Sequence, residues 1–192
     1  MKDKCTRNLE YENNYGLNLN QCKLLGMGNH GKVYLIASDR VIKVCKDSKS
    51  CIYESFILTR TNGSKYFPKI YDYDEHFIIR EYVDGEPLNS YIKKNGLNND
   101  LINKIICLAE EFYSLGFTKI DIRCRDIMVR RDESLMVIDP KGSYTRNVSY
   151  PRHLMKGLNK LGVLEDFIDF LKEHRFELFK EWIQNFSSSQ PD

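Results

Sequence analysis

A chain of 192 residues with 42% hydrophobic content has the length and apolar material for one domain, or for two small lobes that share a site. Its 29 Lys and Arg against 27 Asp and Glu leave it near neutral, which argues against a whole-surface field for nucleic acid or anionic membrane. No run approaches the roughly 18 apolar residues of a membrane span, and the polar segment Met1 to Tyr15 has no apolar signal core. The six cysteines contain no C-x-x-C pair, so neither a zinc site nor a disulfide framework is expected; the reading is a cytoplasmic protein in a reducing compartment, with no membrane partner.

In chain order, a β-like segment runs from Leu17 to Leu25, followed by a glycine cluster and by two strands, Val33 to Ala37 and Val41 to Cys45, joined at Ser38-Asp39-Arg40. Ser50 to Thr61 changes to helical spacing and is closed by Gly63. Two β-rich stretches follow, Lys69 to Tyr73 and His76 to Val83, and the turn-forming Asp84-Gly85-Glu86-Pro87 ends them. Leu101, Ile102, Ile105, Ile106, Leu108, Ala109, Phe112 and Leu115 recur at spacings of three and four, predicting a helix stopped at Gly116. Ile127-Met128-Val129 and Leu135 to Ile138 flank the turn residues Arg131 to Ser134 as a second hairpin, and from Leu161 the pattern is helical until the serines at 187 to 189.

The chemistry-bearing residues form an ordered series. Gly26-Met27-Gly28-Asn29-His30-Gly31-Lys32-Val33 fits G-x-G-x-x-G-x-V, in which absent side chains let backbone N–H groups close over phosphates and Val33 covers a base. A P-loop is excluded because Val33 stands where the metal-binding hydroxyl belongs, and a strand follows where a helix should begin; a dinucleotide fingerprint fails on the same missing helix. Lys43 ends an apolar strand pair, where a cation can hold α- and β-phosphates if Glu54 on the next helix fixes it; a solvated strand lysine is the competing reading. Asp121 and Asp126, with four residues between them and leading into a strand, and then Asp139, supply carboxylates that suit hard Mg²⁺; each alone reads as a turn or cap residue. The four histidines share no ligand spacing and read as structural or solvated.

Ile120-Asp121-Ile122-Arg123-Cys124-Arg125-Asp126 resembles the protein-kinase catalytic loop H-R-D-x-x-x-x-N, and Asp139-Pro140-Lys141-Gly142 lies where D-F-G should be. The resemblance runs from Leu24 to Gly142. It implies an α+β, two-lobed protein-kinase-like fold: an N-terminal antiparallel sheet plus one helix over 1–83, and a reduced, mainly helical C-lobe over 84–192, with the nucleotide between them. It implies that Asp121 handles the acceptor's proton, that Asp126 and Asp139 hold Mg²⁺, and that Lys43 and Glu54 anchor ATP beneath Gly26, Gly28, Gly31 and Val33. Ile78 to Leu88 resembles a kinase hinge, with the backbone at Glu81 and Val83 meeting adenine and Arg80 at the gatekeeper, either narrowing the pocket or facing solvent. Arg123 and Arg125 occupy positions from which kinases contact the transferring phosphoryl group, or they form a solvated basic loop.

The pattern departs from typical kinases at Lys119-Ile120, at Asp126 in place of asparagine, and at Pro140-Lys141 in place of Phe-Gly, with no A-P-E motif. It therefore resembles a small atypical bacterial-type member, similar to RIO-type, lipopolysaccharide-core and aminoglycoside kinases. Pro140 fixes φ and removes an N–H, which predicts a loop without an in-and-out switch. The expected activity is ATP- and Mg²⁺-dependent phosphotransfer to a hydroxyl, a protein serine or threonine first. A small-molecule kinase for a sugar or aminoglycoside-like alcohol, a pseudokinase, and an ATPase that uses water share the motifs.

Overall fold

The computed structural model describes residues 16–140 and 142–187; the polar N-terminal segment, Lys141 of the Asp-Pro motif and residues 188–192 lie outside that description. The described chain divides into two compact units, one made of the residues up to Asn62 with Pro68–Tyr82, the other of Gly63–Phe67 with the residues from Val83 onward.

In the first unit, β1 (Lys23–Gly28), β2 (Gly31–Ala37), β3 (Arg40–Cys45), β4 (Ile70–Tyr73) and β5 (Phe77–Glu81) build an antiparallel sheet in the order β1-β2-β3-β5-β4. Because strand side chains alternate in direction, β3 splits its residues between two apolar layers. Ile42 joins Leu19, Phe77 and Ile79 on one face, whereas Cys45 joins Cys51, Leu58 and Ile78 on the other. Helix α1 (Ser48–Arg60) covers the second face with Cys51, Glu54, Ser55 and Leu58, residues at the three- and four-residue spacing of a single stripe. Its start is set by Asp47, whose carboxylate accepts the Ser50 N–H at 2.8 Å, and that bond lowers the pKa of the capping acid.

Two sequence expectations change here. The expected strand from Leu17 to Leu25 begins only at Lys23, after a turn in which the Gln21 N–H meets the Asn18 carbonyl, and it runs on through two glycines. Edge position permits this: β1 is mostly exposed, so Gly26 and Gly28 lose no packing and still pair with Val33 and Gly31. Cys45 and Cys51 form a disulfide with their Cα atoms 5.7 Å apart, against the expectation of none. The strand-to-helix turn brings them together, a proximity that no motif spacing signals.

The second unit opens with a three-stranded antiparallel sheet in the order β6-β7-β8, formed by β6 (Gly85–Pro87), β7 (Ile127–Arg130) and β8 (Leu135–Val137). The hairpin β7–β8 matches the sequence pattern, but Gly85-Glu86-Pro87, expected as part of a turn, is a strand. Gly85 lies so close to the Val129 carbonyl that any Cβ would collide with it, so its glycine serves a close backbone approach.

Helices α2 (Leu88–Asn95), α3 (Asn99–Ser114), α4 (Arg152–Lys160), α5 (Leu164–His174) and α6 (Phe176–Ser187) complete this unit. Helix α3 is the strongly periodic one, capped by Asn98 accepting the Leu101 N–H at 2.8 Å and terminated before Gly116 at φ +69°. Trp182 and Phe167 are fully buried with rings stacked at 6.3 Å, and the indole N–H donates to the Tyr113 hydroxyl at 3.2 Å. The sequence reading missed α2, which buries only Leu88 and Ile92, and α4, which has nine residues and buries only Leu154, Met155 and Leu158. The class is α+β: an antiparallel sheet with one covering helix, followed by a mainly helical unit. Among the described residues no helix is long and apolar enough to cross a membrane.

Candidate active site

The predicted residues fall into two sets, one on each unit. On the first, β2 and β3 pair Val33 directly with Lys43, and directly paired residues share a sheet face. Lys43 Nζ makes an ion pair with Glu54 Oε2 of α1, with side chains only 10% and 5% exposed. Strand alternation aims Lys43 at the helix, and the helical stripe aims Glu54 back. The second carboxylate oxygen, Glu54 Oε1, is buried and accepts no hydrogen bond from any described residue, and the burial of both side chains makes losing either partner costly.

The three loop glycines have different physical reasons. A Cβ on Gly31 would run into the Val44 carbonyl of β3, so that glycine is required by sheet packing. Gly26 and Gly28 have open space where a side chain would stand, and nothing in the fold calls for glycine there. Their bare backbone at the β1–β2 turn is what a bulky anion would need in order to approach. At the turn His30 points to Ser50, with Nδ1 to Oγ at 3.4 Å.

The hinge positions are engaged. Glu81 donates its N–H to the Lys69 carbonyl at 2.8 Å, and its own carbonyl accepts from Arg80 Nη1 at 3.0 Å. Arg80 is buried, which settles its two sequence readings against the solvent-facing one. Val83 is buried in the second unit.

On the second unit the short 3₁₀ turn Cys124–Asp126 presents Asp126 beside both arginines, with Arg123 Nε 2.6 Å from Oδ2 and Arg125 Nε 3.8 Å from Oδ1. The Ile138 N–H donates to the Asp126 carbonyl at 3.0 Å, which brings the backbone preceding Asp139 against Asp126. Among the described residues no three His, Cys, Asp or Glu side chains gather into a ready-made cation cage. Lys119 is half-buried near this group. Burial pushes its pKa down, the charges of Asp121 and Asp126 draw it up, and Arg146 and Arg123 add to the fall. Cys124, packed under α4 where Gly157 leaves room for its sulfur, has its thiol pushed up to about 11 by burial.

Asp121 is the residue whose surroundings the sequence did not foresee. Its side chain is fully buried, Oδ1 accepts the His153 backbone N–H at 2.5 Å, and Oδ2 is bonded to His153 Nδ1, with Arg152 Nη2 at 3.9 Å. Both new partners lie in the first turn of α4, the helix that periodicity missed. The loop after Asp139 is stitched to the segment before Asp121: Thr118 and Lys119 donate to the Ser143 carbonyl, and Val148 exchanges bonds with Thr118 and Ile120.

The chain matches no protein-family model. It is 26% identical over 91 residues, 47% of its length, to the Bacillus subtilis (strain 168) protein named "Putative serine/threonine-protein kinase YrzF". The match spans 42% of that protein's own length. The Mycobacterium tuberculosis PknI kinase domain superposes with a TM-score of 0.46 at 16% identity, over 61% of this chain and 57% of that one.

Proposed function

We propose that the chain is an ATP- and Mg²⁺-dependent phosphotransferase that moves the γ-phosphoryl group of ATP to a hydroxyl, with a protein serine or threonine as the favoured acceptor class. The observation that carries the reading is the buried Lys43–Glu54 pair, set across from Val33 on a strand next to a hairpin whose Gly26 and Gly28 leave the backbone bare. A lysine held by a buried carboxylate is a fixed cation for phosphate oxygens, and backbone N–H groups beside glycines without side chains are their natural donors. Asp126 and Asp139 supply two carboxylates on neighbouring backbone, a hard-oxygen donor set that would suit Mg²⁺. Bound there, the ion would offset charge on the phosphates. Arg123 and Arg125, now against Asp126, carry the guanidinium geometry that pairs with phosphoryl oxygens.

The sequence likeness to a protein named as a kinase supports the same class, as do the D-x-x-x-x-D and Asp-Pro motifs in kinase order. In this reading the protein is cytoplasmic, a compartment that would open the Cys45–Cys51 disulfide to two thiols. A second reading, a kinase-shaped module without turnover, draws on the Glu81 carbonyl already accepting from Arg80 and on the occupied oxygens of Asp121.

Titration of the purified chain with ATP, with and without Mg²⁺, separates the readings when run beside Asp139→Ala and Asp121→Asn and followed by transfer to itself, to a generic protein and to water. The phosphotransferase predicts Mg²⁺-dependent binding that Asp139→Ala weakens about tenfold or more, with turnover lost in Asp121→Asn. No Mg²⁺-dependent binding leaves only the module.

A further inference from the structure

The motif gives Asp121 the task of receiving the acceptor's proton, but its geometry commits it elsewhere. The carboxylate is fully buried, and both oxygens are taken by one residue, the main chain and the ring of His153. A hydroxyl arriving from solvent meets no free oxygen of Asp121. It meets the imidazole, whose side chain is 46% exposed.

The chemistry of the contact fixes the tautomer. An ionised carboxylate only accepts, so Nδ1 carries the hydrogen, and in the neutral ring it is Nε2 that holds the lone pair. Capping α4 requires one oxygen of Asp121, the one on the His153 N–H; the second oxygen, on the ring, is not needed for a cap. The pair is also held from both sides. The Ile120 N–H donates to the Val148 carbonyl at 2.8 Å just before Asp121, the Tyr113 hydroxyl donates to the Ser149 carbonyl at 2.8 Å just before α4, and Gly157 seats α4 on Cys124. Such support is what a positioned proton acceptor requires.

We propose that His153, through Nε2, takes the proton of the acceptor hydroxyl, and that Asp121 is the positioning residue that orients the ring. The assignment rests on the phosphotransferase reading above. In the step, the acceptor oxygen bonds to the γ-phosphorus, and the bond from that phosphorus to the β-phosphate oxygen breaks with its electron pair leaving on ADP. The acceptor's proton passes to Nε2. The imidazolium is stabilised by the Asp121 carboxylate and then releases the proton to solvent from its exposed edge.

The test measures single-turnover transfer from radiolabelled ATP, ATP affinity and thermal midpoint for the full chain, for His153→Ala and for His153→Gln. His153→Ala should slow transfer about 10²- to 10⁴-fold while ATP affinity stays within about twofold, and added imidazole should restore part of the rate, which a purely structural role would not allow. Glutamine can still hydrogen-bond to Asp121 but takes no proton, so His153→Gln carries the test if the alanine variant fails to fold, and it should be as slow. Transfer by His153→Gln at the wild-type rate, or a slow His153→Ala that imidazole does not restore, overturns the assignment and leaves the phosphotransferase standing. A wild type that binds no Mg²⁺-ATP and transfers nothing overturns both.

Discussion

Glu54 in the sheet unit and Asp121 in the helical unit are both buried carboxylates, and each is held differently. Glu54 meets a lysine ammonium from the neighbouring strand, 11 residues away in sequence, and keeps one oxygen without a hydrogen bond. Asp121 meets a backbone N–H and an imidazole from a helix 32 residues further on, and both of its oxygens are used. The first arrangement fixes an ammonium group in place, as the proposed phosphate binding requires. The second holds a ring that can gain and lose a proton, as acid–base work requires. The difference teaches that the same buried acid can anchor a charge or orient a base, and that the partner decides which.

The largest expected effect tests the first arrangement. Lys43→Met leaves Glu54 buried and uncompensated and should cost about 3–5 kcal/mol in urea unfolding. Lys43→Met with Glu54→Leu should recover most of that loss, because replacing both partners of a buried pair with apolar groups is close to neutral. A single variant as stable as the wild type would mean that the pair is solvated in solution, and the contrast with Asp121 would fall.

A smaller effect separates the glycines. Gly31→Ala drives a methyl into the Val44 carbonyl and should destabilise by about 1–3 kcal/mol. Gly28→Ala meets open space and should stay within about 0.5 kcal/mol of wild type, while weakening ATP in a titration. Equal stability losses would remove the distinction between a packing glycine and a ligand-facing one.

What the sequence disclosed follows the same division. The β2–β3 pair, α1 and the Lys43–Glu54 contact rest on short-range alternation and helical spacing, which a linear reading captures. Asp126 beside the backbone of Asp139 was also legible, because a hairpin joins them. The Asp121–His153 contact was not. It depends on α4, a helix of nine residues whose Leu154, Met155 and Leu158 form one short stripe among polar residues, too brief to stand out in a linear reading, and whose Gly157 lowers helix propensity and is kept because Cys124 lies against it. Read singly, His153 had no ligand spacing to mark it. The Cys45–Cys51 bridge escaped for a similar reason, since a turn creates the proximity and no spacing records it.

The smallest effect sharpens the comparison at Asp121 itself. Arg152 Nη2 lies 3.9 Å from Oδ2, and its side chain is 42% exposed, so water screens the guanidinium on one side. Asp121 is already satisfied by His153, so the arginine adds a long contact to a carboxylate with no oxygen left to fill. Arg152→Ala should therefore lower the urea stability by about 0.5 kcal/mol, within the range of exposed pairs. A loss near that of Lys43→Met would show that Asp121 depends on a cation as Glu54 does, and the imidazole would then be an accessory to an ion pair instead of the group the carboxylate exists to orient.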